Sequence, residues 1–464
     1  MDLNLDGFKS WLINNKDFSK ATISDTVSRM KRANKILPWF NDIVYQFRLE
    51  QEPAYQVLSS SVRSQLKRAV TLYFEFIEQA NSVSSVCCKS NNMKVLSLFS
   101  NIGISETYLH EIGFDVVLAN EIDEKRSEIY KDLYPNCEMI TGDITDKKVS
   151  DIIIKKSLEY GIDLLMATPP CQGMSTAGKK DKYDVRNELI CYAVKIAQKI
   201  QPKYIMFENV PMKLKTKIMY KNAEVLIPDY IKSELGNYYY INTSVINTAD
   251  YGVPQLRERV IFLLTRKDIP NKWEMPPKEN KIVTLYDAIG DLPILDPLIY
   301  DIDYSKHLEI FPNYEERAKI AEDISFWHKP PKHVLRQVIS MQHTPTGETA
   351  FDNKIYFPVK KDGTPVKGYR NTYKRQSWDK PAYTITMYNR TISSQNNVHP
   401  GRLLDSGLYS DPRVLTTYEL MLCMSLPKNW GIPKNISESY LRSIIGEGIP
   451  PLFVKKLFLN IRNR

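Results

Sequence analysis

Met93-Lys94-Val95-Leu96-Ser97-Leu98-Phe99-Ser100-Asn101-Ile102-Gly103 is an apolar run of strand length that opens into a small, polar turn closed by glycine. A helix is expected after it, through Tyr108. The next apolar run, Val116-Val117-Leu118-Ala119, ends at Glu121. Runs at 163–167, 204–207 and 260–264 repeat the theme, with helical stretches between the first four. Strands alternating with helices predict an α/β, Rossmann-like, doubly wound and largely parallel sheet. In such a sheet ligands bind beyond the carboxyl ends of the strands, where the polar clusters of this chain fall.

On the amino-terminal side, residues 1–80 read as helices. Phe8, Trp11 and Leu12 lie at i, i+3 and i+4, and Leu66, Val70, Tyr73, Phe74 and Ile77 make a second stripe. Thr22 or Ser24 is the expected cap of a helix over 25–37, stopped by Pro38, and the polar stretch 81–92 reads as a linker. On the other side the βα rhythm fails beyond Arg266. The expected organisation is a helical extension at 1–85, a catalytic domain at 93–266, an irregular module at 267–412 and a return segment at 413–464.

The chain of 464 residues, 43% apolar and 25% charged, can build a sizeable core. No apolar run approaches the length of a membrane span, and the acidic start MDLNLDGFKS lacks a signal-peptide core. A cytoplasmic protein is expected. The six cysteines show no metal-ligand spacing, so neither a disulfide framework nor a bound metal is expected. Lys and Arg total 63 against 54 Asp and Glu, and the whole excess of +9 falls between Lys329 and Arg402, with 13 cations and 4 acids. That window has the charge of a polyanion-binding surface.

The chemistry-bearing clusters follow the strands. The 99–103 turn puts backbone amides where an anionic group is favoured. Glu121, about 20 positions on, suits the two hydroxyls of a ribose. Gly142-Asp143-Ile144 could accept from an adenine amino group, so the three together suggest an adenosine-type cofactor. In Thr168-Pro169-Pro170-Cys171-Gln172-Gly173-Met174-Ser175 two prolines stiffen a strand-end loop that presents a lone cysteine. Glu208 ends the following strand as a candidate proton donor to a ring nitrogen. Arg257 and Arg259, two apart in extended chain, share a face and could hold an anion or a carbonyl oxygen.

Taken in order, LFSNIG, NEID, GDI, PPCQG, ENV, YGVPQLRER, RVLTTYEL and IGEGIPP resemble the C5 cytosine-specific DNA methyltransferases over roughly 93–266 and 413–460. The resemblance implies S-adenosylmethionine as cofactor and a cytosine flipped from the duplex. Cys171 would attack C6, Glu208 would serve N3 and Arg259 would hold O2. On the cofactor it implies Phe99 and Gly103 around the methionine half, Glu121 on the ribose and Asp143 at the adenine, with Asn101, Ile122, Ile144, Pro169 and Glu447 completing the set. Gln172, Ser175, Gln255, Thr384 and Arg390 are expected at the DNA, Thr384-Ile385-Thr386 being similar to a short threonine motif that supports the flipped nucleotide.

Two departures lie on the cofactor side. The family's first motif begins with aspartate and has more glycine, where this chain has Ser97 and Ser100-Asn101-Ile102-Gly103-Ile104; its last motif has asparagine where this chain has Glu447. By position, 267–412 corresponds to a target-recognition domain, with Tyr356, Tyr369, Tyr373, Trp378 and Tyr388 among its cations. A monomer on double-stranded DNA is expected, since one active site and one recognition module serve one strand at a time, and a cognate restriction endonuclease is a candidate companion in the same system. For residues 1–85 a DNA-clamping module and an interaction arm both stay open. An RNA cytosine methyltransferase and a silent DNA-binding homologue are the alternatives at this level.

Overall fold

The structure is a computed structural model that describes residues 3–16, 18–39, 45, 49, 50, 52–83, 92–170 and 188–462. It divides into two compact units, Met1–Asn91 and Asn92–Arg464.

The described part of the first unit contains helices α1 (Leu5–Asn15), α2 (Lys20–Ile36), α3 (Pro53–Gln56) and α4 (Ser60–Val83). The two apolar stripes meet: Phe8, Trp11 and Leu12 of α1 share one core with Leu66, Val70 and Tyr73 of α4 and with Ile23 and Met30 of α2. Phe8 meets Tyr73 edge to face at 5.0 Å, an arrangement aromatic pairs favour. Helix α2 starts earlier than expected because Ser19, not Thr22 or Ser24, is its cap, its Oγ accepting from the Thr22 amide at 3.2 Å. It ends at Ile36, before Pro38 can interrupt it. The expected linker begins inside α4, and 84–91 lie outside the described residues.

In the second unit, strands β1 (Met93–Leu98), β2 (Phe114–Glu121), β3 (Glu138–Thr141), β4 (Leu164–Ala167) and β5 (Tyr204–Asn209) are parallel; β6 (Lys217–Tyr220) and β7 (Ala223–Leu226) form a separate hairpin. Strands β8 (Tyr239–Asn247) and β9 (Glu258–Arg266) complete a seven-stranded sheet of order β3-β2-β1-β4-β5-β9-β8. The doubly wound sheet is the one expected, with one correction: β9 runs antiparallel to β5, since a hairpin from β8 rather than a helical crossover brings it back. Order reverses between β1 and β4, which marks the crevice at their carboxyl ends.

Both faces are covered, as a sheet that is apolar on both sides requires. Leu165 and Ala167 point to the face packed by α6 (Lys147–Tyr160), α7 (Leu189–Ile200) and α8 (Ile227–Leu235), which follow α5 (Glu124–Leu133). Leu164 and Met166 point the other way, against Phe453, Leu457 and Phe458 of the last helix. The helix expected through Tyr108 is absent. Successive three-residue turns, such as Glu106 N to Gly103 O at 3.2 Å, occupy 100–109, because Glu106 is drawn inward to accept from Ser97 Oγ at 2.6 Å and Ser105 Oγ at 2.7 Å.

Beyond β9 come α9 (Leu285–Ile289), α10 (Tyr304–Ile310), α11 (Tyr314–Ile324) and α12 (Leu335–Gln342), a short parallel pair β10 (Leu298–Ile299) and β11 (Lys332–His333), then α13 (Thr417–Cys423), α14 (Glu438–Glu447) and α15 (Pro451–Arg462). Leu285, Ile289, Ala382 and Ile385 share a core with Ile102, Leu441 and Ile445. Arg413, fully buried, joins Asp411 at 2.8 Å and Glu419 at 2.8 Å, and Glu419 also closes a capping box with Thr416 at the start of α13. No helix among the described residues is long and apolar enough to cross a membrane.

Candidate active site

The carboxyl ends of β1 and β2 build one wall. Phe99 and Asn101 both stand in left-handed backbone, at φ 58° and 54°. Asparagine tolerates this, but for phenylalanine it is strain. The turn is held by Thr168 Oγ1 donating to Phe99 O at 3.2 Å and Ser100 N to Asn120 O at 3.1 Å. Gly103 is required, because a Cβ there would lie 2.2 Å from the Tyr134 ring. Glu121, buried, accepts from the amides of Asn101 at 2.9 Å and of Ile122 and Asp123 at 3.0 Å each. Burial nevertheless raises its pKa, the amides opposing the shift. Beside it Ile122 is 63% exposed, an apolar surface at the cleft. Asp143 is exposed, whereas Ile144, expected at the cofactor, has its side chain in the sheet core.

The two departures from the family pattern touch each other. Asn101 Nδ2 donates to Glu447 Oε2 at 3.3 Å, and Arg126 grips the same carboxylate through Nη1 at 2.8 Å and Nη2 at 3.1 Å. Burial works against the Arg126 charge, but Glu447 outweighs it and raises the Arg126 pKa. Asn101 Oδ1 is buried and without a partner among the described residues.

The opposite wall comes from β4, β5 and β9. Arg259 Nε meets Glu208 Oε1 at 2.6 Å, both side chains about one-tenth exposed. Asn209 Nδ2 donates to Pro169 O at 2.9 Å and its Oδ1 accepts from the Val210 amide at 2.9 Å, so the asparagine after Glu208 fixes the start of the Pro-Pro loop. Pro169 is buried there. Cys171, Gln172 and Ser175 lie outside the described residues.

Two expected site residues are structural instead. Arg257 is 1% exposed and donates to the carbonyls of Ile385 at 3.0 Å, Gly446 at 2.9 Å and Glu447 at 3.1 Å. Gln255 is fully buried, receiving the Ile385 amide at 3.2 Å. Neither faces the cleft; they tie the 384–386 segment and the last motif to β9. Thr384 and Arg390 are exposed. Of the aromatics among the cations, Tyr369 at 79% and Tyr388 at 77% are well exposed and Tyr356 at 39% moderately so, while Tyr373 is core and Trp378 packs on Arg402. Arg375 is no surface cation either: fully buried, it donates to carbonyls including Met341 at 2.9 Å and His399 at 2.7 Å.

Residues 93–463 match the family model described as C-5 cytosine-specific DNA methylase. The chain is 41% identical over 377 residues to the Type II methyltransferase M1.HgaI of Avibacterium volantium, covering 80% of this chain and 99% of that protein. The chain belongs to the C-5 cytosine-specific DNA methylase family. It is a DNA cytosine-C5 methyltransferase. A second relative, the Type II methyltransferase M.DdeI of Desulfomicrobium norvegicum, is 33% identical over 79% of this chain and 87% of its own. A crystal structure described as a DNA modification methyltransferase encoded within an E. coli prophage superposes with a TM-score of 0.54 at 22% identity, over 80% of this chain and 99% of that one, a likeness of fold.

Several residues of this methyltransferase site carry weight that the sequence reading did not give them. Asn120 Nδ2 donates to the carbonyls of Ile140 at 2.9 Å and Gly142 at 3.1 Å, setting the Asp143 loop. Arg126 and Asn209 act as described. Asn120 and Asn209 sit inside the NEID and ENV motifs, so a signal was present. Arg126 had none, because its partner lies 321 residues away.

Proposed function

We propose that this methyltransferase methylates C5 of a cytosine flipped from duplex DNA, with S-adenosylmethionine as donor and Cys171 as nucleophile, and protects DNA in a restriction-modification system as the names of its relatives suggest. The observation that carries the reading is the Glu208–Arg259 pair at 2.6 Å, at the carboxyl end of β5 beside the start of the Pro-Pro loop.

Cytosine C5 is a weak nucleophile. When the Cys171 thiolate adds to C6, the ring electrons move to C5, and negative charge builds on N3 and O2. Glu208 serves N3 as hydrogen-bond donor or proton source, and Arg259, already bonded to Glu208, offers its remaining N–H groups to O2. S-adenosylmethionine, when bound, supplies an electrophilic sulfonium methyl group. With the methyl on C5, a base takes the C5 proton, the C5–C6 double bond re-forms and Cys171 leaves as the thiolate. Any proton lent to N3 returns to Glu208 in the same step, so the thiolate and the acid are both regenerated.

The donor fits the wall at β1 and β2. Glu121 offers a carboxylate for ribose hydroxyls, exposed Ile122 offers an apolar face for a purine, and the unpartnered Asn101 Oδ1 is an acceptor suited to an ammonium or hydroxyl donor. Target choice is assigned to 267–412, where Thr384 and Arg390 would reach the DNA; the enzyme works as a monomer in the cytoplasm, one site serving one strand.

A duplex carrying 5-fluorocytosine tests the mechanism. Fluorine at C5 cannot leave as a proton does, so the Cys171–C6 bond should persist after methyl transfer. Mass spectrometry should find one DNA strand joined to the Cys171 peptide, dependent on S-adenosylmethionine. Methylation without such an adduct would refute the covalent route.

A further inference from the structure

Residues 1–80 hold 11 Lys and Arg against 9 Asp and Glu, a near balance. The structure shows that this balance conceals a segregation. Helix α2 alone carries Lys20, Arg29, Lys31, Arg32 and Lys35, and its one acid, Asp25, is bridged by Arg29 at 3.6 Å. Ile23, Thr26, Met30 and Ala33 are buried along the inward face. Lys20, Lys31, Arg32 and Lys35 are all exposed on the opposite side, and none forms an ion pair among the described residues. Among them on that side lie the small residues Ala21, Ser24 and Ser28, also exposed, and the acid Asp25, exposed too but bridged by Arg29.

A merely solubilising helix face alternates charges and carries long side chains of both signs. This one sets four cations without ion-pair partners among the described residues, against a single acid already bridged by Arg29, beside small and hydroxyl side chains, so a polyanion backbone can approach the helix closely and receive N–H and O–H donors together. The cations extend over about 22 Å at 1.5 Å per residue. The unit lies outside the family match, which begins at residue 93, and M1.HgaI reaches 99% of its own length without a fifth of this chain. The unit therefore adds something to a catalytic fold that is complete elsewhere.

We propose that the exposed face of α2 is a second DNA-binding surface, which holds phosphates of the same duplex by charge and hydroxyl contacts without reading bases. The proposal rests on the reading of the chain as a DNA methyltransferase and extends it. Its role is to supply affinity and residence on DNA, leaving chemistry to the second unit.

The test uses the full-length chain with Lys31→Glu, Arg32→Glu and Lys35→Glu combined, and the milder triple Gln variant beside it. All three side chains are exposed, and circular dichroism with thermal melting checks the fold. The probe is a plain DNA duplex titrated over a range of salt. Three lost phosphate contacts should flatten the log Kd against log salt slope by about 2.7 and weaken binding roughly tenfold or more near 0.1 M salt. The Gln triple should show most of the slope change. The turnover rate at saturating DNA and S-adenosylmethionine binding should stay as in the wild type. A matched reversal at Lys147, Lys148 and Lys155 on α6 changes net charge equally and should leave the slope nearly unchanged.

Wild-type affinity and slope in both folded triples would overturn the proposal and leave the face to an acidic protein partner. A slope change equal to that of the α6 control would also overturn it, as a net-charge effect. A wild-type chain that neither binds nor methylates DNA would bring down the functional reading as well, which separates the two failures.

Discussion

Asn101 and Glu447 replace residues that the family pattern places differently, and each explains the other. A charged Glu447 beside the carboxyl ends of β1 and β2 is tolerated because Arg126 takes both its oxygens and the Asn101 amide takes one of them again. Glu447→Asn restores the family's residue yet strands the Arg126 charge, one-fifth exposed, without its partner. Breaking one side of a partly buried pair costs more than the pair is worth. Glu447→Asn should therefore weaken S-adenosylmethionine about tenfold by calorimetry, near 1.4 kcal/mol, and Arg126→Met combined with it should be no worse than either alone. Unchanged or tighter binding by Glu447→Asn would refute the coupling. Glu106 makes a separate prediction. It is 2% exposed, and burial raises its pKa to about 6 against the opposing Ser97 and Ser105 hydroxyls. The native fold thus prefers the neutral acid, a contribution fully present below pH 4.5 and lost as pH rises through 6. Relative to wild type, Glu106→Gln should gain up to about 2 kcal/mol near pH 7 and little near pH 4. Denaturant titrations at the two pH values check the sign.

Among the elements, the turn into α13 and the close approach at α14 hold the site together. Arg413 is buried between Asp411 and Glu419, whose own burial would raise their pKa values but whose neighbours, Arg413 and His399 among them, hold both below the usual range. Their support is present above the ordinary carboxylate pKa and is lost in acid. Arg413→Met should cost about 3–5 kcal/mol, seen as a large drop in Tm, because two carboxylates are left buried without it. Gly446 permits the other contact: a Cβ there would sit 2.4 Å from the Thr386 carbonyl. Gly446→Ala should push 384–387 off the last motif and lower kcat/KM by roughly a hundredfold, with S-adenosylmethionine affinity less affected.

The strands that position the site were legible because β1, β4 and β5 are short runs made mostly of apolar residues, as strands buried on both faces tend to be. Strand β8, Tyr-Tyr-Ile-Asn-Thr-Ser-Val-Ile-Asn, escaped notice: it is the sheet edge, half exposed, with polar residues in its middle. The β6–β7 hairpin escaped too, its turn being built on Lys221 and Asn222 at positive φ rather than on glycine. Among the candidate residues, the strand-end positions of Glu121, Glu208 and Arg259 could be read from the sequence. The burial of Arg257 and Gln255 could not, since their partners lie 128 to 190 residues away. A charge count marked the 329–402 window but could not separate surface Arg390 from buried Arg375.

At the scale of the whole molecule, the chain pairs a methylase unit, 92–464, with a helical unit, 1–91, and the β1–β4 reversal gathers the Glu121 wall and the Glu208–Arg259 pair at the carboxyl ends of the strands. That assembly makes sense if its product is 5-methylcytosine in DNA. The most direct measurement is base-resolution methylation mapping of DNA from cells expressing the wild type beside Cys171→Ser. The account predicts C5-methylcytosine at one short sequence motif with the wild type and none above background with the variant. Methylation retained by Cys171→Ser, or a methyl group on adenine or on the cytosine amino nitrogen instead of C5, would contradict it.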